Sequence, residues 1–239
     1  MSHHEELLEK ATAIEIEEVP LQTYIDKLRK WETFKFARYG DGEWTAILKP
    51  DPTKGNCDGH AYTYELSADL AKTIVEPSDK IEYGIQPLSI ATMGDAINTY
   101  VGPGKIKWTN ADVFHAASEV RELAPFADAL RERKPIIVGG RQWNKGGWLN
   151  PKAFIQIPLR GVYDYKDEIL ELIRKIPLKG EVILLACSML AEVIIYELRD
   201  TDATIIDIGS VFDPWLGVLN RGYHQNLGEL DKAVYGDNR

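Results

Sequence analysis

The chain has 239 residues, 44% hydrophobic and 27% charged, which suits one globular domain with a substantial core. Its 28 basic and 37 acidic residues leave a net charge of −9, the wrong sign for general nucleic-acid binding, where affinity comes from neutralising phosphates. The two cysteines, Cys57 and Cys187, make neither a disulfide framework nor a cysteine metal site, and no apolar run approaches the ~20 residues of a membrane helix.

The start, Met1-Ser2-His3-His4-Glu5-Glu6, lacks the basic and apolar regions of a secretory signal, so a cytoplasmic protein is expected. Over residues 4–16, Leu7, Leu8, Ala11 and Ile14 recur at helical spacing. Pro20 then opens a second stripe of Leu21, Tyr24, Ile25 and Leu28. These predict an N-terminal helical extension over residues 1–31, followed by one α/β domain over 32–239. The paired stripes either pack on that domain or form a homo-oligomer contact.

Phe34 to Tyr39 alternates aromatic with polar or small residues, as a half-buried strand does. Gly40-Asp41-Gly42-Glu43 reads as a turn, and Trp44 to Leu48 as the start of a helix. Two carboxylates two residues apart at a strand end can face one ligand, and magnesium or manganese takes such oxygens, often together with a phosphate. Arg38 adds a donor fork suited to phosphate or carboxylate. An acidic turn alone is equally a plain turn.

Lys49 to Tyr64, rich in Pro, Gly, Asp and Asn, reads as a long loop carrying Asn56, Asp58 and His60. Helices are expected over Glu65–Val75 and Thr92–Tyr100, with a strand at Ile81–Ile85 between them. Asn110 reads as a helix N-cap or a contact to ligand hydroxyls, and His115 lies just over one turn beyond it. Lys134 to Gly140 is a buried strand ending in a glycine pair. Arg141 and Lys145 follow in a Gly-rich loop of the kind whose N–H groups approach phosphates. Further strands are expected at Phe154–Pro158, Glu181–Ala186 and Ala203–Ser210. Ser188 is read as the N-cap of a nearly all-apolar helix over Met189–Leu198. The polar tail from Leu219, with Arg221, His224 and Asn226, either folds over the site or frays.

Strands alternating with helices predict an α/β fold, Rossmann-like, with a mainly parallel sheet flanked by helices. Ligands bind beyond the carboxyl ends of such strands, where Asp41, Glu43, Arg141, Lys145, Ser188, Asp207 and Asp213 all fall.

Arg38-Tyr39-Gly40-Asp41-Gly42-Glu43 resembles the Arg-Phe/Tyr-Gly-Asp-Gly-Glu signature of the GT-D fold glycosyltransferases, and weaker matches follow to about residue 217. The resemblance implies a GT-D type fold. It also implies a divalent metal, Mn2+ or Mg2+, held by Asp41 and Glu43, and a nucleotide-sugar donor, most simply a UDP-sugar. Arg38, Gly40, Asp41, Asn110, Gly140, Arg141, Lys145 and Ser188 would bind the donor. Asp213, with His115 behind it and Glu43 at the metal, would carry catalysis, and the 49–64 loop would lie on the acceptor side. The acceptor would be a glycan or glycoprotein, ahead of a modified nucleobase given the acidic charge. Two departures stand out. Cys187-Ser188-Met189-Leu190-Ala191 replaces a Gly-Pro-Thr-Ala-like turn, and Ser210 stands where relatives commonly have His. The competing readings are a metal-dependent nucleotide-sugar hydrolase and an inactive nucleotide- or glycan-binding module.

Overall fold

Short apolar runs, with β-branched residues on both faces, form the central strands of a parallel sheet buried on both sides. The computed structural model describes residues 14–219. Its eight-stranded sheet has the order β1 (Ile16–Glu17), β6 (Trp108–Asn110), β5 (Glu82–Ile85), β2 (Lys35–Tyr39), β10 (Thr204–Asp207), β9 (Val182–Ala186), β7 (Ile136–Gly139), β8 (Ala153–Gln156). All neighbouring pairs are parallel. A separate antiparallel hairpin joins β3 (Asp51–Gly55) to β4 (Ala61–Tyr62).

From β2 the chain fills one half of the sheet through β5 and β6, and it later builds the other half from β7 to β10. β2 and β10 meet side by side where the two halves join. Loops leaving neighbouring strands in opposite directions open a crevice at such a junction.

Helices cover both faces. One core layer packs α2 (Asp41–Leu48), α3 (Tyr64–Val75), α4 (Pro87–Val101), α7 (Lys166–Arg174) and α8 (Leu190–Glu197) on the sheet. The other contains α1 (Leu21–Arg29), α5 (Val113–Glu119) and α6 (Ala124–Arg133). None of the described helices is long and apolar enough to cross a membrane.

Several elements differ from the sequence expectation. Leu7, Leu8 and Ala11 of the first stripe lie outside the described residues, as do Arg221, His224 and Asn226. Ile16–Glu17 is an edge strand on β6 rather than helix. The second stripe is integral to the core: the Tyr24 ring lies 5.2–5.6 Å from those of Phe34, Phe36 and Phe114. Lys35 is buried, not solvent-facing, and its Nζ donates to Thr201 O at 2.8 Å. The 49–64 loop is the β3–β4 hairpin. The Gly-rich stretch after β7 is a 3-10 helix, Arg141–Leu149. There Trp143 packs so closely on Gly139 that a Cβ would meet its Cδ1 at 2.4 Å.

Candidate active site

Arg38 and Asp207 end the two strands at the sheet junction. Arg38 Nη1 lies 3.5 Å from Asp207 Oδ2, and its Nε donates to Ala111 O at 3.1 Å. Asp207 Oδ1 accepts the Gly209 N–H at 2.9 Å. The turn after β10 can pass this close because Gly209 has φ +46 and no side chain. A Cβ there would lie 2.4 Å from Arg38 Nη1.

The Asp-Gly-Glu segment is the first turn of α2, not a free turn. Gly40 is its N-cap, and Glu43 Oε2 accepts the Gly40 N–H at 2.8 Å. This is half of a capping box, since glycine has no side chain to return the bond. Asp41 stays exposed at the helix start, where the positive end of the dipole favours it. The expected short-armed pair is therefore unequal. Asp41 is open to the cleft, whereas Glu43 is bound to the backbone, and the Gly40 N–H is spent on it.

Burial pushes the Glu43 carboxyl up to about 7; the Asp207 charge adds to this, while backbone N–H groups and Arg38 oppose it. Burial likewise disfavours charge on Arg38, but the carboxylates of Asp207, Asp112 and Glu43 outweigh it and raise its pKa. A third acid was not legible in the sequence. Glu192 sits on the largely apolar α8, 1% exposed, with its carboxyl beside that of Asp207. Burial first, then the charges of Asp207 and Glu43, raise its pKa well above the ordinary carboxylate value. Only its position against the β2–β10 junction would have revealed it.

Two connected clefts open above these strand ends. The first, about 460 Å³, is lined by Arg38 and His115 and by six acids: Asp41, Glu43, Asp58, Asp112, Glu119 and Asp207. The second, about 770 Å³, is lined by three cations, Arg141, Lys145 and Arg160, against Asp58 and Asp213. Cys57, Asp58, Ser188, Gly209 and Ser210 line both. The hairpin tip forms part of this shared wall, held there by Asn56 Nδ2 donating to Ser188 Oγ at 2.8 Å. The site is thus one crevice with an acidic and a basic lobe.

Gly140, Arg141 and Lys145 line the basic lobe, with Asp213 beside them. His115 lines the acidic lobe, with Nε2 3.4 Å from Ser210 Oγ. Ser188 lies at the divide, but it does not cap α8 with its side chain. It takes a left-handed conformation, φ +55, and its carbonyl accepts from Ala191 N at 2.9 Å. Asn110 lines neither lobe. Its Oδ1 accepts from Asp112 N, and its Nδ2 donates to both Glu18 oxygens at 3.0 Å, which ties the β1 segment to the turn after β6. Asn110 is therefore not the N-cap of α5, a position that Asp112 takes. Arg160, which the sequence did not single out, joins the basic lobe from the loop after β8.

No group of three or more His, Cys, Asp and Glu among the described residues is arranged to hold a metal ion. The donor set does fit a magnesium- or manganese-type ion, which takes one or two carboxylates and fills its shell with phosphate oxygens and water. Asp41 offers an open carboxylate, and Glu43 offers the oxygen that its cap bond leaves over.

No protein-family model matches this sequence, and no curated protein matches it. Solved structures do match. One, described as the highly conserved domain of unknown function 1792 with a distinct glycosyltransferase fold, aligns with TM-score 0.63 at 17% identity. It covers 91% of this chain and 87% of its own. Another, a new glycosyltransferase of the same domain type from Streptococcus sanguinis, aligns with TM-score 0.64 at 17% identity, over 85% of this chain and 86% of its own. This chain has the same glycosyltransferase fold. The GT-D expectation for the architecture is met, and at this identity the likeness concerns the fold.

Proposed function

We propose that the protein is a glycosyltransferase that moves a sugar from a nucleotide-diphosphate donor, a UDP-sugar in the simplest case, to an acceptor hydroxyl. One observation carries the reading: a single crevice at the sheet junction divides into a cationic and an anionic lobe. A diphosphate fits the lobe of Arg141 and Lys145, where the N-terminus of the 3-10 helix after Gly140 also faces it. The anomeric carbon then lies toward Ser188 and Gly209, at the divide. An uncharged hydroxyl acceptor, such as a glycan or a glycoprotein, fits the acidic lobe better than a phosphate-bearing one.

Asp41 and Glu43 would hold the divalent ion, Mn2+ or Mg2+, which when bound offsets the charge developing on the departing diphosphate. Arg141 and Lys145 would orient the donor and take up part of that charge. His115 is placed to receive the acceptor proton, since it lies in the acidic lobe beside Ser210. Asp213 lies on the donor side, which favours contact with the transferred sugar for it. Ser188 and Ser210, which stand at the two departures, both line the crevice.

Calorimetric titration of UDP and a panel of nucleotide sugars, with and without manganese, tests this on the parent and on Asp41→Asn. The reading expects metal-enhanced binding that the variant loses. No binding of any nucleotide would overturn it. Donor consumption at equal rate with and without acceptors would instead identify a hydrolase.

A further inference from the structure

Arg160 belongs to none of the sequence motifs, yet its position is distinctive. It leaves the loop after β8 and lines the basic lobe with Arg141 and Lys145, which come from the 3-10 helix after β7. All three are exposed. In a chain of net charge −9, three cations lining one lobe that holds two acids, Asp58 and Asp213, make a ready receptor for a polyanion.

Arg160 also approaches the hairpin. Gly59, at the tip, has φ +78, and a Cβ placed there would lie 3.5 Å from Arg160 Nε and 4.0 Å from its Cζ. The guanidinium therefore faces the tip across the space that a side chain at Gly59 would fill. That tip is internally ordered by Asn56, whose Oδ1 accepts from Asp58 N at 3.1 Å and His60 N at 3.0 Å. Its Nδ2 fastens the tip to Ser188.

We propose that Arg160 is a phosphate-binding residue that couples the ligand to the hairpin: its guanidinium grips the diphosphate from a position beside Gly59, so that the bound ligand joins the tip to the basic lobe. The planar fork suits this task, because its donors are held in a fixed geometry that matches phosphate oxygens. Lysine would supply charge without the fork. The inference deepens the diphosphate reading and rests on it for the ligand's class.

Cys57 gives a readout independent of turnover. It is exposed and lines both lobes, whereas Cys187 is buried. Inorganic pyrophosphate, UDP and uridine would be titrated calorimetrically into the parent, Arg160→Gln and Arg160→Lys. Iodoacetamide alkylation of Cys57 would be timed with and without pyrophosphate. Arg160 is exposed, so the variants should keep the parent melting temperature. Expected are a loss of roughly tenfold or more in pyrophosphate and UDP affinity for Arg160→Gln, a smaller loss for Arg160→Lys, and unchanged uridine binding. Pyrophosphate should slow Cys57 alkylation in the parent and not in Arg160→Gln. Equal pyrophosphate affinity in parent and Arg160→Gln, or no slowing in the parent, would overturn the proposal. If UDP binds parent and variant alike, this inference fails and the transferase reading stands. If pyrophosphate binds through Arg160 but no nucleotide sugar binds, the reverse holds.

Discussion

Glu43 turns back on its own helix start, its Oε2 accepting the Gly40 N–H at 2.8 Å. One carboxylate of the Asp-Gly-Glu segment thereby builds the local structure, and the other, Asp41, is left to the crevice. Asp41→Asn should abolish metal-enhanced nucleotide binding with little change in stability, since Asp41 is exposed. Glu43→Ala should also lower stability, by about 1 kcal/mol for the lost cap bond. Melting curves run beside the titrations separate the two effects. Equal destabilisation by both variants would contradict this division of roles.

The buried acids make stability fall as pH rises. A carboxyl whose folded pKa is raised stabilises the fold while protonated, and that contribution is lost as pH climbs through the folded value. For Glu43 the window runs from its ordinary 4.5 to about 7; for Glu192 it likewise opens upward from 4.5. Glu192→Gln, a neutral copy of the protonated acid, should match the parent at low pH and exceed it in the alkaline range. Melting temperatures from pH 5 to 9 check this. A variant that is less stable at high pH would show that an ionised Glu192 supports the fold.

Gly209 sets the distance between β10 and Arg38. Gly209→Ala demands both a left-handed alanine and a methyl 2.4 Å from Arg38 Nη1, and should cost roughly 2 kcal/mol or more. Gly102→Ala, at φ +87 with nothing within 4 Å of the new Cβ, carries the backbone strain without the clash. Denaturant midpoints should rank Gly209→Ala well below Gly102→Ala. Equal losses would mean that Arg38 yields freely.

Gly139 supports the donor side in the same way, through Trp143. Gly139→Ala should push Trp143 out of its seat, at a cost of about 1–3 kcal/mol. It should also weaken UDP binding, because Arg141 and Lys145 ride on the same 3-10 helix. Intact UDP affinity in a destabilised variant would uncouple the helix from the site.

The sequence was most informative where period and composition agreed. β2, β5 and β9 fall within a residue of expectation, because apolar β-branched runs bounded by Gly, Pro or Asp have few alternatives, while β10 ends three residues before Ser210. Arg38, Asp41, Arg141, Lys145 and His115 do line one crevice. Tertiary contacts decided the rest. Pro52 and Gly55 made 49–64 read as a loop, yet the segment pairs as a hairpin and supplies the wall between the lobes. Helix α6 and strand β6 went unread, the latter three residues long and recognisable only by its neighbours. Asn110 carried a capping signature, but its side chain is drawn to Glu18, a residue 92 positions away. Glu192 was hidden because an acid on an apolar helix has meaning only once Asp207 and Arg38 are placed beneath it. Arg160 belongs to no spacing pattern, and only its place in the basic lobe, beside the hairpin tip, marks it.

The division of one crevice into a donor and an acceptor lobe is the centre of this account. Amide chemical shifts of the isotope-labelled chain, followed as UDP and then a UDP-sugar are added with manganese, test it most directly. The account expects UDP to shift the amides of Arg141, Arg160 and Ser188, at the ends of β7, β8 and β9. The sugar should extend the change to Gly209, Ser210 and His115. Shifts confined to surfaces away from these strand ends, or shifts at Asp112 and Glu119 with none in the basic lobe, would contradict it.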